Sequence, residues 1–399
     1  MNKELVIKKG KPKLSDKLNS SIKTNTNEFL FVAYVFTFPL MGLLIPFFKQ
    51  YSIFLLTFPA LLILLVSFWS NAKHKMLKPD KFYLVAISLV SLVLLIDMVA
   101  RRNAYTFRYA YQFIIFGIMP MYLLSKVRDL KQVLKYLAFF SVPVIVLYSP
   151  DPFIKYFVTG DYLKFGYFAM LPAYLGVHIG RKYLGFKWLL PFELVALFQI
   201  VFFSNRGALV TAMVFILLSK IFIDKRSLRK LLLIITMCIT AVVFTFYLKP
   251  ILETSIEYLQ ENNLESYSLN SLYQSVEEGG DPYSGRQEIW SNAESDVIVS
   301  PIVGHGTGYF ISRYGVYTHN IYLELLSSWG IIGLSGFILF SVAYIYSMSK
   351  SKGTIRLFML LMAVIGLIPL LFSLEIFSWL YFWLFFYSIS LNRLSAYEQ

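Results

Sequence analysis

The sequence predicts an all-α polytopic membrane protein of about 12 transmembrane helices with one large extracytoplasmic loop. The first observation is compositional. Of 399 residues, 57% are hydrophobic and only 15% charged, and mean hydropathy is +0.62. A soluble domain carries about 25% charged residues, and a soluble fold of this length has too little interior to hide so much apolar surface. The second observation is the recurrence of stretches of about 18 or more residues with few charges, the length that crosses a bilayer. The third is an alternation of basic residues along the chain. Together they exclude a soluble enzyme, a secreted disulfide scaffold, a disordered chain and a coiled coil. Cys238 is the single cysteine, so no intrachain disulfide is expected.

Residues 1–28 form a polar tail with seven lysines. No short apolar core with a cleavage site stands in it, so the first span is expected to act as its own insertion signal. The lysines read as a cytoplasmic tail obeying the positive-inside rule, or as a grip on anionic lipid headgroups. Nine spans are expected within 29–248, at 29–48, 52–70, 82–99, 109–125, 132–149, 163–179, 187–203, 206–223 and 231–248. The large loop follows at 249–320. Residues 321–399 hold three more spans, 321–347, 355–373 and 376–392, and a short tail. Phe and Tyr crowd many span ends, as in an interfacial aromatic belt.

With both termini in the cytoplasm, the inside segments collect 27 of the 37 Lys and Arg residues. The loop 249–320 falls outside and carries ten acidic against three basic residues. This alternation sets the orientation and accounts for the net charge of +14 without a nucleic-acid partner. Both termini are expected in the cytoplasm, with the chemistry on the outer face.

Arginines held outside against that bias are informative. Arg101, Arg102 and Arg108 share one short outer loop. They read as a second anion site, or as residues bound to lipid phosphate or paired with the acidic loop. Three motifs lie on the same face. Ser204-Asn205-Arg206-Gly207 opens the eighth span, where Ser204 or Asn205 can cap the helix and leave Arg206 in its first turn. Ser284 and Gln287 have capping-box spacing, so Arg286 also falls in a first turn. Tyr317-Thr318-His319-Asn320 precedes the tenth span, which puts His319 at or just before a helix start.

A helix N-terminus offers free N–H groups and partial positive charge, and so attracts anions. Arginine adds a bidentate fork suited to phosphate. Two such ends can clamp a pyrophosphate. The same potential disfavours imidazolium, which keeps His319 neutral and available as a general base. Asn320 and Glu324 are candidates for support. Gly304-His305-Gly306-Thr307-Gly308 reads as a flexible turn. His305 and His319 with Glu294 or Asp296 lack metal-ligand spacing, so neither a metal nor another cofactor is expected. Tyr283, Trp290, Tyr309, Tyr314 and Tyr317 suit sugar stacking or interfacial anchoring. Leu252, Ile256 and Leu259 suggest an amphipathic surface helix. Asp97, Glu193 and Glu375 lie in or beside spans, where ionisable groups are costly; no role is assigned to them.

The ordered set Ser204-x-Arg206-Gly207, Ser284-Gly285-Arg286-x-x-x-Trp290, Pro301-x-x-Gly304-x-Gly306, His319-Asn320-x-x-Leu323-Glu324 and Trp329-Gly-Ile-Ile-Gly-Leu334 resembles the bacterial O-antigen polymerase and O-antigen ligase superfamily over about residues 203–335. The resemblance implies a membrane glycosyltransferase related to the glycosyltransferase C class. It implies a donor glycan linked to undecaprenyl pyrophosphate, Arg206 and Arg286 on the donor pyrophosphate, and His319 activating the acceptor hydroxyl. It further implies inversion at the anomeric carbon and no need for a nucleotide sugar. The 33 residues from Arg286 to His319 are few beside ligases that serve a lipid A core, which favours a polymerase acting on a lipid-linked repeat unit. A ligase moving glycan to another acceptor is the alternative, and a chain-length regulator is a candidate partner. A flippase would need a polar path or internal repeat, and neither is visible.

The topology has a direct check. A reporter fused after residue 270 should read outside, and fusions after 78 or 226 should read inside. A cytoplasmic signal at 270 would overturn the outer-face site.

Overall fold

The computed structural model describes residues 14–45, 48, 52–73, 80–101, 103–154, 162–223, 249–266, 269–270, 272–274 and 286–396. Among the described residues every regular element is helical. Helical segments stand at each expected span except 231–248, which lies outside the described residues. Four of them, Lys81–Arg101, Leu130–Phe153, Ile321–Lys350 and Gly353–Phe372, are long and apolar enough to cross a membrane. The first helix, Leu14–Gly42, begins inside the polar tail rather than at its end.

Gly353–Phe372 is the most buried of the four and sits in the core beside the wholly buried Trp379. Ile321–Lys350 is peripheral, and its Leu339, Val342 and Tyr346 stand exposed where lipid would meet them. Leu130–Tyr148 and Leu171–Tyr183 approach closely because Gly176 has no side chain. A Cβ there would lie 2.1 Å from Ser141 Oγ and 2.9 Å from the Leu137 carbonyl. Small residues at such crossings are the usual device for close packing in a bilayer.

Two helices widen into π turns, Phe113–Ile118 and Lys164–Met170. Prolines explain both. Pro120 and Pro172 have no N–H for the carbonyls four residues back, and the helix relaxes to a longer step. Met119 N–H donates to the Ile114 carbonyl and Leu171 N–H to that of Gly166.

The end expected inside is tied by carboxylates. Glu28 is fully buried and accepts from the Arg128 and Asp129 N–H groups at 2.7 and 3.0 Å. Asp80 accepts from the Tyr387 hydroxyl at 2.7 Å and pairs with Arg393. Glu193 pairs with Arg181 and with His178 Nδ1 at 2.8 Å.

The tenth span departs from the sequence expectation of one continuous helix over 321–347. Gly330 sits at φ 61°, ψ −158°, a conformation essentially confined to glycine. The break is sealed by the 300–308 loop. Ile331 and Ile332 N–H groups donate to the Pro301 and Ile302 carbonyls at 2.8 and 3.3 Å. In return, His305 and Gly306 N–H groups donate to the Ser327 and Ser328 carbonyls, both at 2.8 Å.

A Cβ on Gly330 would lie 2.3 Å from the Ile302 carbonyl oxygen. Gly330→Ala should therefore cost about 1–3 kcal/mol from backbone strain alone and lower the thermal unfolding midpoint in detergent. Gly336→Ala, in the same helix with open space around it, should leave the midpoint unchanged or raise it. Equal midpoints would show that the seal is dispensable.

Candidate active site

Arg206 opens the helix Arg206–Phe222. Asn205 caps it in extended conformation, its side-chain oxygen accepting from the Ala208 N–H at 2.8 Å. The turn before it packs on the π segment Lys164–Met170. A Cβ on Gly166 would stand 2.3 Å from both Ser204 Oγ and Asn205 Nδ2. A Cβ on Gly207 would stand 1.8 Å from the Tyr167 hydroxyl. The Arg-Gly pair is thus a charge-bearing first turn followed by the one residue type that admits Tyr167 against the helix end.

Arg286 is the first described residue of the helix Arg286–Val299, which packs against Ile321–Lys350. The proposed cap at Ser284 lies outside the described residues. Trp290, one turn along, donates its indole N–H to the Thr318 carbonyl at 3.1 Å. That bond holds the residue before His319. His319 itself adopts φ 54°, a left-handed turn that costs a non-glycine residue energy. Asn320 then caps the next helix, accepting from the Tyr322 and Leu323 N–H groups at 2.9 and 3.3 Å. An N-cap of this kind contributes roughly 1 kcal/mol.

The imidazole lies against the Tyr317 ring, centroids 3.9 Å apart. Its Nδ1 is buried and makes no hydrogen bond within the protein. Burial, and then the charge of Arg286, hold its pKa down at about 4. The Tyr317 hydroxyl pairs with Ser373 at 3.2 Å, and burial pushes its pKa up. The charge of Arg286 also reaches Tyr167. Tyr167 therefore touches the Arg206 turn and lies within reach of the Arg286 charge. Sequence reasoning missed it, because a Tyr near a span end reads as part of the aromatic belt.

The outer-loop arginines go elsewhere. Arg101 pairs with Asp97 at 3.3 Å and donates to the Gly304 carbonyl at 3.3 Å. Arg108 lies 3.6 Å from Glu375, which also accepts from the Tyr109 hydroxyl at 3.0 Å. Arg102 lies outside the described residues. Asp97 has a supporting task. Its Oδ2 accepts from the N–H and the hydroxyl of Thr307, at 2.7 and 2.6 Å. Trp329 Nε1 donates to the same hydroxyl at 3.2 Å. The Gly304–Gly308 segment, expected as a flexible turn, is thus clamped from both sides, with His305 Nε2 donating to the Asp296 carbonyl at 2.8 Å. Burial raises the Glu375 carboxyl above its ordinary value, with Arg108 and the Tyr109 hydroxyl opposing. Glu324 accepts from the Ile376 N–H at 3.4 Å and so ties the start of the His319 helix to the same loop.

Residues 194–338 match the family described as O-antigen ligase. The matched stretch contains Arg206, Arg286, His319, Asn320, Glu324 and the Gly330 break. No curated protein and no solved structure matches the chain.

The depressed pKa has a measurable sign. His319 should stay neutral as pH falls through 6.5 and take up its proton only near pH 4. Histidine NMR of the purified protein, with His319→Gln used for assignment, reads this directly. Arg286→Gln should move the titration upward without restoring 6.5, because burial is the larger cause. Titration near 6.5 in the unsubstituted protein would contradict this environment.

Proposed function

We propose that this chain, a member of the O-antigen ligase and polymerase superfamily through residues 194–338, is a polysaccharide polymerase of the bacterial cytoplasmic membrane. Its donor is a glycan on undecaprenyl pyrophosphate and its acceptor a lipid-linked repeat unit. The observation that carries this reading is a buried, unpaired imidazole nitrogen on His319 beside the cation Arg286.

In this mechanism the first turns at Arg206 and Arg286 hold the donor pyrophosphate. Neutral His319 takes the proton of the acceptor hydroxyl. The hydroxyl oxygen bonds to the anomeric carbon as the bond from that carbon to the pyrophosphate oxygen breaks. The electron pair leaves on the pyrophosphate, where the arginines stabilise the developing charge. A single displacement inverts the anomeric centre. Tyr167 and Trp290 position the two arms through Gly207 and Thr318.

The family description favours a second reading, a ligase with a different acceptor. Purified protein given only undecaprenyl-pyrophosphate-linked repeat units, in excess EDTA, decides between them. A polymerase makes a ladder of products one repeat apart. A ligase makes none until a distinct acceptor is added, and then product in one step. Alanine at Arg206, Arg286 or His319 should lower turnover by roughly 100-fold or more, and Arg→Lys should rescue only part of it. Full activity of His319→Ala would remove the base.

A further inference from the structure

A cavity of about 450 Å³ opens beside Arg108 and the π segment Lys164–Met170, within the range of roughly 300–1,000 Å³ common to ligand pockets. Its walls are mainly apolar, with Phe38, Ile115, Phe116 and Phe168 among them, and two cations, Arg108 and Lys164, border it. Tyr111 on its wall is 43% exposed, so the cavity reaches the protein surface there.

Its position relates it to the chemistry. Phe168 and Tyr167 are neighbours on the π segment Lys164–Met170. Trp379 meets both rings edge-on, with centroids 5.1 and 6.2 Å away. The cavity and the Arg206 turn, which Tyr167 touches at Gly207, are therefore served by the same short segment. The link at Arg108 is similar, since Glu375 holds one side of its guanidinium at 3.6 Å. Half of that side chain remains exposed, and a guanidinium has five donors to share.

We propose that this cavity holds the lipid of the acceptor substrate: the first isoprene units lie among the aromatic side chains, and the phosphate lies at Arg108 and Lys164. This rests on the polymerase reading, which requires two lipid-linked substrates at once. In that reading the donor phosphates go to Arg206 and Arg286, and an apolar cavity bordered by Arg108 and Lys164 suits a second anion bearing an apolar chain. Arg108 is thereby separated from Arg101, which faces Asp97 and the Gly304 carbonyl.

The test counts bound lipid and needs no turnover. Full-length protein in detergent is equilibrated with undecaprenyl monophosphate and examined by native mass spectrometry. The unsubstituted protein should retain two lipids. Thr57→Trp, which fills the cavity from its half-buried wall, should retain one. Exposed Lys164→Gln should weaken the second binding about tenfold, and serves if the tryptophan variant does not fold. Two lipids retained with unaltered affinity in these variants would overturn the proposal. So would equal displacement by phosphatidylglycerol, which would make the cavity a site for ordinary bilayer lipid. A protein that binds two lipids in this pattern yet transfers no glycan would defeat the polymerase reading while leaving the site.

Discussion

A buried or lipid-facing backbone has no water to satisfy its polar groups, so irregular chain at membrane depth must be paired within the protein. The break at Gly330 meets that constraint by exchange. Two N–H groups beyond the break go to Pro301 and Ile302, and two carbonyls before it receive His305 and Gly306. The short helix from Ile321 to the break is thereby clamped to the 300–308 loop, and that loop is held by Asp97 through Thr307. His319 sits immediately before this clamped segment. Its place depends on a glycine eleven residues along and on a carboxylate in the third expected span.

Much of this was legible in the sequence, and the exceptions have physical causes. The helix starts at Arg206 and after Asn320 follow from capping residues, which are local and leave a local signature. The break at Gly330 did not, because Trp329-Gly330-Ile331-Ile332 is as apolar as any span and only the approach of Pro301 and Ile302 requires the glycine. The same is true of Tyr167. Nothing near it announces that Gly207, forty residues later, will be bare to receive its hydroxyl. The π turns were hidden for another reason, since proline in an expected span predicts a disturbance but not its form.

Charge placement divides similarly. The topological count singled out arginines on the disfavoured side, and it could not say which serve the fold. Arg101 has a carboxylate one turn behind it, Asp97, and a carbonyl from a distant loop. That makes it part of the clamp that holds the 300–308 loop. Arg108 keeps an exposed face beside Glu375. Glu193, equally unplaced by sequence, closes an ion pair with Arg181 and His178 at the other end of the bundle.

The pairing of Arg286 with His319 sets one property against another. A cation beside imidazole keeps it neutral, but it also makes the ring a weaker base, and efficient proton transfer favours a base whose pKa lies near the working pH. In the proposed reaction the donor resolves this conflict. Pyrophosphate bound at Arg286 brings negative charge to the same region and offsets the guanidinium that depresses the ring. The basicity of His319 then rises only when a donor is in place. Without donor the ring is a poor base, which limits activation of water or acceptor at an empty site. A hydrogen-bonding carboxylate on Nδ1 would fix the ring in one more basic state regardless of occupancy. The unpaired Nδ1 leaves the ring without such a fixed partner, so in the proposed reaction the part of the depression that comes from Arg286 is relieved when donor binds, while the larger part that comes from burial stays.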